Sequence, residues 1–183
     1  MTDRKQIQIN NRRHLVNALT RLLPETAHEL ARIRPGLDES KIKLTRIDDV
    51  ALQAYDKQWG ALPPNPQGDF DWRYNVDAFN RETCPFSVAI WYGDTLCGLG
   101  VGVKGNGRVD LAMMEGSPDP DHPLKGFIAA IVVDCAAAFA REWRVSRLRL
   151  KKPLKALLPF YESKLGFTIV RPRNQPIYCQ REV

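Results

Sequence analysis

A chain of 183 residues, 44% hydrophobic and 26% charged, holds enough apolar material for one core; a disordered polymer is excluded and a single globular domain with one appendage is expected. No apolar run approaches the ~18–20 residues that cross a bilayer, since the longest, Phe127 to Val133, runs into Asp134; residues 1–15 lack the apolar centre of a secretory signal. The net charge of +6 is unevenly placed: residues 141–183 carry eleven Lys/Arg against three acids, whereas the first 140 carry sixteen against eighteen. A basic C-terminal segment suits an anionic ligand (a phosphate-bearing cofactor, a nucleic acid or an acidic partner) or a solvated surface that keeps the chain soluble. Cys84, Cys97, Cys135 and Cys179 form no CxxC pair, and His14, His28 and His122 are not grouped with them. No metal site or disulfide framework is expected; free thiols in a reducing, cytoplasmic setting are.

Taken in order, residues 11–33 have Leu15, Leu19, Leu22 and Leu23 at helical spacing and predict one or two helices broken at Pro24. After a turn at Arg34-Pro35-Gly36, the alternation of Ile42, Leu44 and Ile47 predicts a strand, and Asp48 or Asp49 caps a helix through Leu52, Tyr55 and Trp59. Residues 60–69, GALPPNPQGD, must be a loop, and Trp72, Val76 and Phe79 mark a short helix. Three antiparallel strands follow, from Phe86 to Tyr92, Thr95 to Lys104 and Arg108 to about Met114, joined at Gly93-Asp94 and Gly105-Asn106-Gly107. From Leu124 to Trp143 the chain reads as a helix apolar nearly all round, which must lie on a sheet beneath other cover. A basic strand, Arg147 to Leu150, precedes a helix that begins near Lys155, takes Pro159 into its first turn and stops at Gly166. Strands at 167–170 and 177–180 end the chain. The order implies a mixed α/β (α+β) domain: one mostly antiparallel sheet flanked by helices, with residues 1–40 as a helical extension and 41–183 as the domain. The leucines of that extension need a surface to cover, on this chain or on a second copy in a homodimer.

The run Leu158-Pro-Phe-Tyr161-Glu-Ser-Lys-Leu-Gly166-Phe167 closely resembles the late "FYEKLGF" helix-and-strand signature of the GCN5-related N-acetyltransferase (GNAT) superfamily. The three-strand meander and the buried helix before a strand match it too; residues 1–40 lie outside the resemblance. It implies the GNAT fold, acetyl-CoA as co-substrate, and transfer of its acetyl group to a primary amine of a small molecule, peptide or protein. In the superfamily the pyrophosphate rests on N–H groups at the start of the buried helix, in a loop reading Arg/Gln-x-x-Gly-x-Gly/Ala. Here that stretch is Pro123-Leu124-Lys125-Gly126-Phe127-Ile128, so one glycine remains, Pro123 replaces the leading residue and Ile128 the closing small one. Amides survive every side-chain change except proline, and Lys125, Lys151 or Lys152 could supply the charge. Asp119 and Asp121 in the preceding loop would oppose it if they faced the phosphates.

The resemblance puts Tyr161 where a hydroxyl meets the thioester sulfur, making it the candidate general acid, unless it merely packs with Leu157 and Leu165. Glu115, ending the third strand, is the candidate base, with a solvated loop-edge glutamate as the plain alternative and His122 as a second base. Met113, Met114, Lys125, Gly126, Phe127 and Ile128 are the candidate cofactor-binding residues, the methionines through their backbone. Trp59, Trp72 and Tyr74 are candidates for the acceptor site; with Phe70, Asp69 and Asp71 they could hold a cationic amine, although core packing claims some of them. Two other functions fit the residues: a catalytically silent GNAT-like module, given Pro123 and Ile128, and an RNA- or tRNA-engaging protein, given the basic tail and Arg4, Lys5, Arg12 and Arg13.

Overall fold

The computed structural model describes residues 4–66, 68 and 70–183. Its elements are α1 (Arg4–Ile33), β1 (Ile42–Thr45), α2 (Asp49–Ala54), α3 (Trp72–Asn80), β2 (Pro85–Tyr92), β3 (Thr95–Gly105), β4 (Arg108–Gly116), α4 (Ile128–Glu142), β5 (Arg147–Lys151), α5 (Leu158–Leu165), β6 (Thr168–Val170) and β7 (Tyr178–Glu182). The strands form one sheet in the order β1-β2-β3-β4-β5-β7-β6. Every pairing is antiparallel except β4 with β5. Period-two alternation along β2 divides the interior in two. Phe86, Val88 and Ile90 join α1 and α4 on one face, and Ala89 and Trp91 join Trp59, Trp72 and Val76 on the other. Among the described residues no helix is long and apolar enough to cross a membrane.

Helix α1 is continuous through Pro24, contrary to the expected break. The ring is exposed, so the carbonyl that loses its intrahelical partner faces solvent. Leu15, Ala18, Leu19, Ala27 and Leu30 form its buried stripe and share a core with Ile131, Val132 and Phe139 of α4. The leucines thus find their surface on the same chain. Arg21 Nη1 reaches Glu142 Oε1 near the end of α4 at 2.8 Å, and Asn11 donates to the Pro85 carbonyl at 2.9 Å.

Helix α4 begins later than its hydrophobic pattern suggests, at Ile128 rather than Leu124. Gly126 has φ +89, outside any right-handed helix, and residues 122–127 form overlapping turns closed by Lys125 N to His122 O and Phe127 N to Leu124 O, both 3.1 Å. The helix sits very close to the sheet because β3 presents glycines beneath it. A Cβ on Gly98 would lie 2.4 Å from Ile128 Cγ2, and one on Gly100 2.6 Å from Val132 Cγ1.

Candidate active site

Strands β4 and β5 pair only from Arg108–Arg147 to Leu111–Leu150. Beyond that, a bulge shifts the β3–β4 register between Val101 and Gly102, so Met113 packs against the α2–α3 core and Met114 against the α4 core. Strand β5 ends at Lys151, and Lys152, at φ +48, turns the chain into Pro153 and away from β4. The sheet opens between Met114 and the 152–157 segment. Cavities of about 530 and 580 Å³ meet in that opening, and Met114, Leu154 and Tyr161 line both.

The first cavity reaches the start of α4 and is lined there by Lys125, Gly126, Ile128 and Ala129. Among the described residues no side chain caps the helix, so its opening amides and the positive end of its dipole are available to an anion. Among the described residues nothing lies within 4 Å of a Cβ placed on Gly126, so the turn has open space beside it. His122, only 3% exposed, lines this cavity with an Nδ1 that has no hydrogen-bond partner among the described residues. Burial pushes its imidazole below the usual range, with Asp119 opposing and Lys125 and Arg34 reinforcing the shift. Phe127 does not plug the opening; it turns towards α1 beside Leu22, Leu30 and Ile33. Pro123 also stays out of it, its carbonyl accepting from Arg34 Nη1. Neither Asp119 nor Asp121 lines the cavity, and Lys151 and Lys152 line the second one instead. Uncapped amides, a lysine and an unpartnered imidazole at one end, with Leu154, Leu157 and Phe160 along the wall, fit a diphosphate carrying a long, partly apolar arm.

Glu115 lines the first cavity beside Asn65, Pro66 and Gly68. Its Oε2 accepts from Trp72 Nε1 at 2.6 Å and its Oε1 from Asn65 Nδ2 at 2.9 Å; the same Asn65 amide reaches Gly116 O at 2.8 Å. A Cβ at Gly68 would stand 2.1 Å from Glu115 Oε1, so a larger residue there would displace the carboxylate. The carboxylate is therefore held by the loop as well as by β4. Tyr161, 5% exposed on α5, packs its ring against Phe160 at 5.9 Å, and burial pushes its phenol above the usual range. Pro159 in the first turn and Gly166 at φ 67 fix both ends of that helix.

The three aromatics expected at the acceptor site are placed otherwise. Trp72 is fully buried and serves Glu115 through its indole N–H; Trp59, 5% exposed, donates to Leu96 O at 3.0 Å; Tyr74 stands on the solvent side of α3, 71% exposed. None lines either large cavity, but Trp59 borders a smaller one of about 220 Å³ together with Glu115 and Phe70. Asp71 is spent capping α3, accepting from Tyr74 N at 2.9 Å, and Asp69 lies outside the described residues. Besides Tyr161, the aromatic side chains that reach the second cavity are Phe70 and Phe79, with Asn75 beside them. Asn65, the second donor to Glu115, was not anticipated; a lone asparagine in a proline-rich loop gives no sequence signal.

A seven-stranded, mostly antiparallel sheet opened at its parallel pair, with the start of α4 facing the opening, defines the class of α/β fold. The architecture is that of the GCN5-related N-acetyltransferases. The ribosomal-protein-S18-alanine N-acetyltransferase of Escherichia coli is similar with a TM-score of 0.54 at 15% identity, over 78% of this chain and 94% of that one. A GNAT-family acetyltransferase of Staphylococcus aureus Mu50 gives 0.57 at 12%, over 77% and 98%. Arabidopsis thaliana Naa50, in complex with the bisubstrate analogue CoA-Ac-MVNAL, gives 0.51 at 17%, over 78% and 99%. At these identities the likeness is one of fold. No family model matches the chain, and no curated protein sequence does.

Proposed function

We propose that this protein is an acetyl-CoA-dependent N-acetyltransferase that acylates a primary amine. The observation that carries the reading is the meeting of two cavities at Tyr161, one ending on the uncapped start of α4 and the other open on the opposite side of the split. Such a passage lets a thioester and an amine approach the same hydroxyl from opposite directions. The named neighbours, one acting on a ribosomal-protein alanine and one bound to a CoA–peptide conjugate, support an amine acceptor of this kind.

In this reading the amides of residues 128–130, with Gly126 and Lys125, hold the diphosphate of the co-substrate, and Met114, Leu154 and Leu157 cover its arm. Glu115, kept in place by Trp72 and Asn65, accepts the proton lost by the attacking amine, directly or through water. As the carbon–sulfur bond breaks, Tyr161 gives its proton to the departing thiolate; burial keeps that proton on the phenol until it is needed. Calorimetry with CoA and acetyl-CoA tests the reading, followed by thiol release in the presence of mixed amines. Saturable heats and amine-dependent thiol release are expected. Flat heats at millimolar ligand would sink the catalytic account and leave a GNAT-shaped module without the chemistry.

A further inference from the structure

The sheet face opposite α4 carries Arg108 and Asp110 of β4 and Arg149 and Lys151 of β5, since Val109, Leu111, Leu148 and Leu150 take the α4 side. Asp110, 4% exposed, accepts from Arg108 Nε and Arg149 Nε, both at 2.8 Å, and lies 3.3 Å from Lys151 Nζ. A buried carboxylate needs a charged partner, but one bidentate arginine already satisfies it, and Arg149 is bidentate here, its Nη2 at 3.1 Å from Oδ2. Three cations on one anion leave a local surplus. Lys152 adds to it on the rim of the second cavity, held at φ +48, a conformation that costs a lysine energy and persists at sites whose geometry matters. Glu82 is the opposing acid on that wall. The charged side chains that line this cavity are Lys151, Lys152, Asp110 and Glu82; because Arg108 and Arg149 already pair with Asp110 from outside the lining, the two lysines face one further acid, Glu82.

We propose that the acceptor is an amine that also bears a carboxylate, with the amine at Tyr161 and the carboxylate at Lys151 and Lys152; this rests on the acetyltransferase reading above. The same surplus favours loss of the acceptor ammonium proton and disfavours polyamines. An amino acid and a peptide with an acidic residue next to its free amine share this chemistry.

The test compares kcat/KM for carboxylate-bearing amines with that for their amides, using free amino acids against amino amides, and peptides with Asp or Gln second, at low and high salt. The acid should be preferred roughly tenfold to a hundredfold, as for a charge-assisted hydrogen bond, and the preference should shrink with salt. Which pair shows it identifies a small molecule or a peptide. Lys152→Gln should bring the ratio towards one, and Lys152→Glu should invert it in favour of spermidine. Tight CoA heats with equal turnover of acid and amide would overturn this inference alone. Absent CoA heats would overturn the acetyltransferase reading and this one with it.

Discussion

Tyr161→Phe separates chemistry from architecture. The ring is nearly buried and packs with Phe160 among Leu158 and Leu165, and phenylalanine keeps all of that area. Among the described residues the hydroxyl makes no hydrogen bond, so its removal leaves no partner stranded and stability should change by no more than about 0.5 kcal/mol. If the hydroxyl protonates the leaving thiolate, kcat falls by about 10²–10⁴, or about 3–5 kcal/mol in the barrier, while KM for acetyl-CoA stays. Burial holds the phenol above its ordinary value, so the proton is present throughout the neutral range; the wild-type alkaline limb should lie beyond that of a free phenol and be absent from the variant. Thiol-release kinetics and thermal unfolding on the same samples are the measurements. An unfolding temperature unchanged with kcat also unchanged would refute the acid role; a large drop in unfolding temperature would refute the claim that the hydroxyl is structurally idle.

Gly126→Ala meets no neighbour within 4 Å, so its cost is the backbone's alone: about 1–2 kcal/mol at φ +89, roughly 2–8 °C in a chain of this size, with weaker CoA heats if the turn must shift. Gly100→Ala drives a methyl to 2.6 Å from Val132 Cγ1 and should cost about 1–3 kcal/mol in urea unfolding; adding Val132→Ala should recover part of it, and strict additivity would contradict the contact. His122 is buried with a lowered pKa, so its contribution is full above the ordinary imidazole value and is lost as pH falls through the lowered one. Denaturation at pH 7 and pH 5 should therefore show a smaller acid loss for His122→Asn than for the wild type, and identical losses would mean the imidazole is already charged in the fold.

Local patterns were enough to find most of the fold. The alternation in β2, the turns at Gly93 and Gly107, Asp48 at a helix start, and the Pro159–Gly166 frame of α5 each act over a few residues, and each is where the sequence places it. The misreadings arose where distant packing overrode local chemistry. Pro24 breaks a helix only if the helix has no other support, and α1 is held along its length by α4. Leu124 looks helical because it is apolar; it is fully buried, but in a turn that Gly126 keeps out of the helix. The indole N–H groups of Trp59 and Trp72 have partners, Leu96 O and Glu115, that only tertiary structure supplies.

The same distinction explains how a loop that has lost its usual side chains can still face a diphosphate. Pro123 contributes no N–H, but it stands four residues before the helix cap Phe127, where no helical amide is lost. Its carbonyl is engaged from outside by Arg34, just beyond the end of α1, which draws the loop away from the opening together with Phe127. The amides that matter belong to residues 128–130, and their position is set by Ile128 and Val132 pressing on Gly98 and Gly100. Glycines in a strand, rather than glycines in the loop, then fix where the positive end of α4 lies. Substitutions at Gly98, which meets Ile128 itself, or at Gly100, which acts through Val132 and so through a residue that lines neither large cavity, should thus weaken CoA binding. A variant at Gly100 with intact CoA heats and a displaced α4 would break that chain of cause.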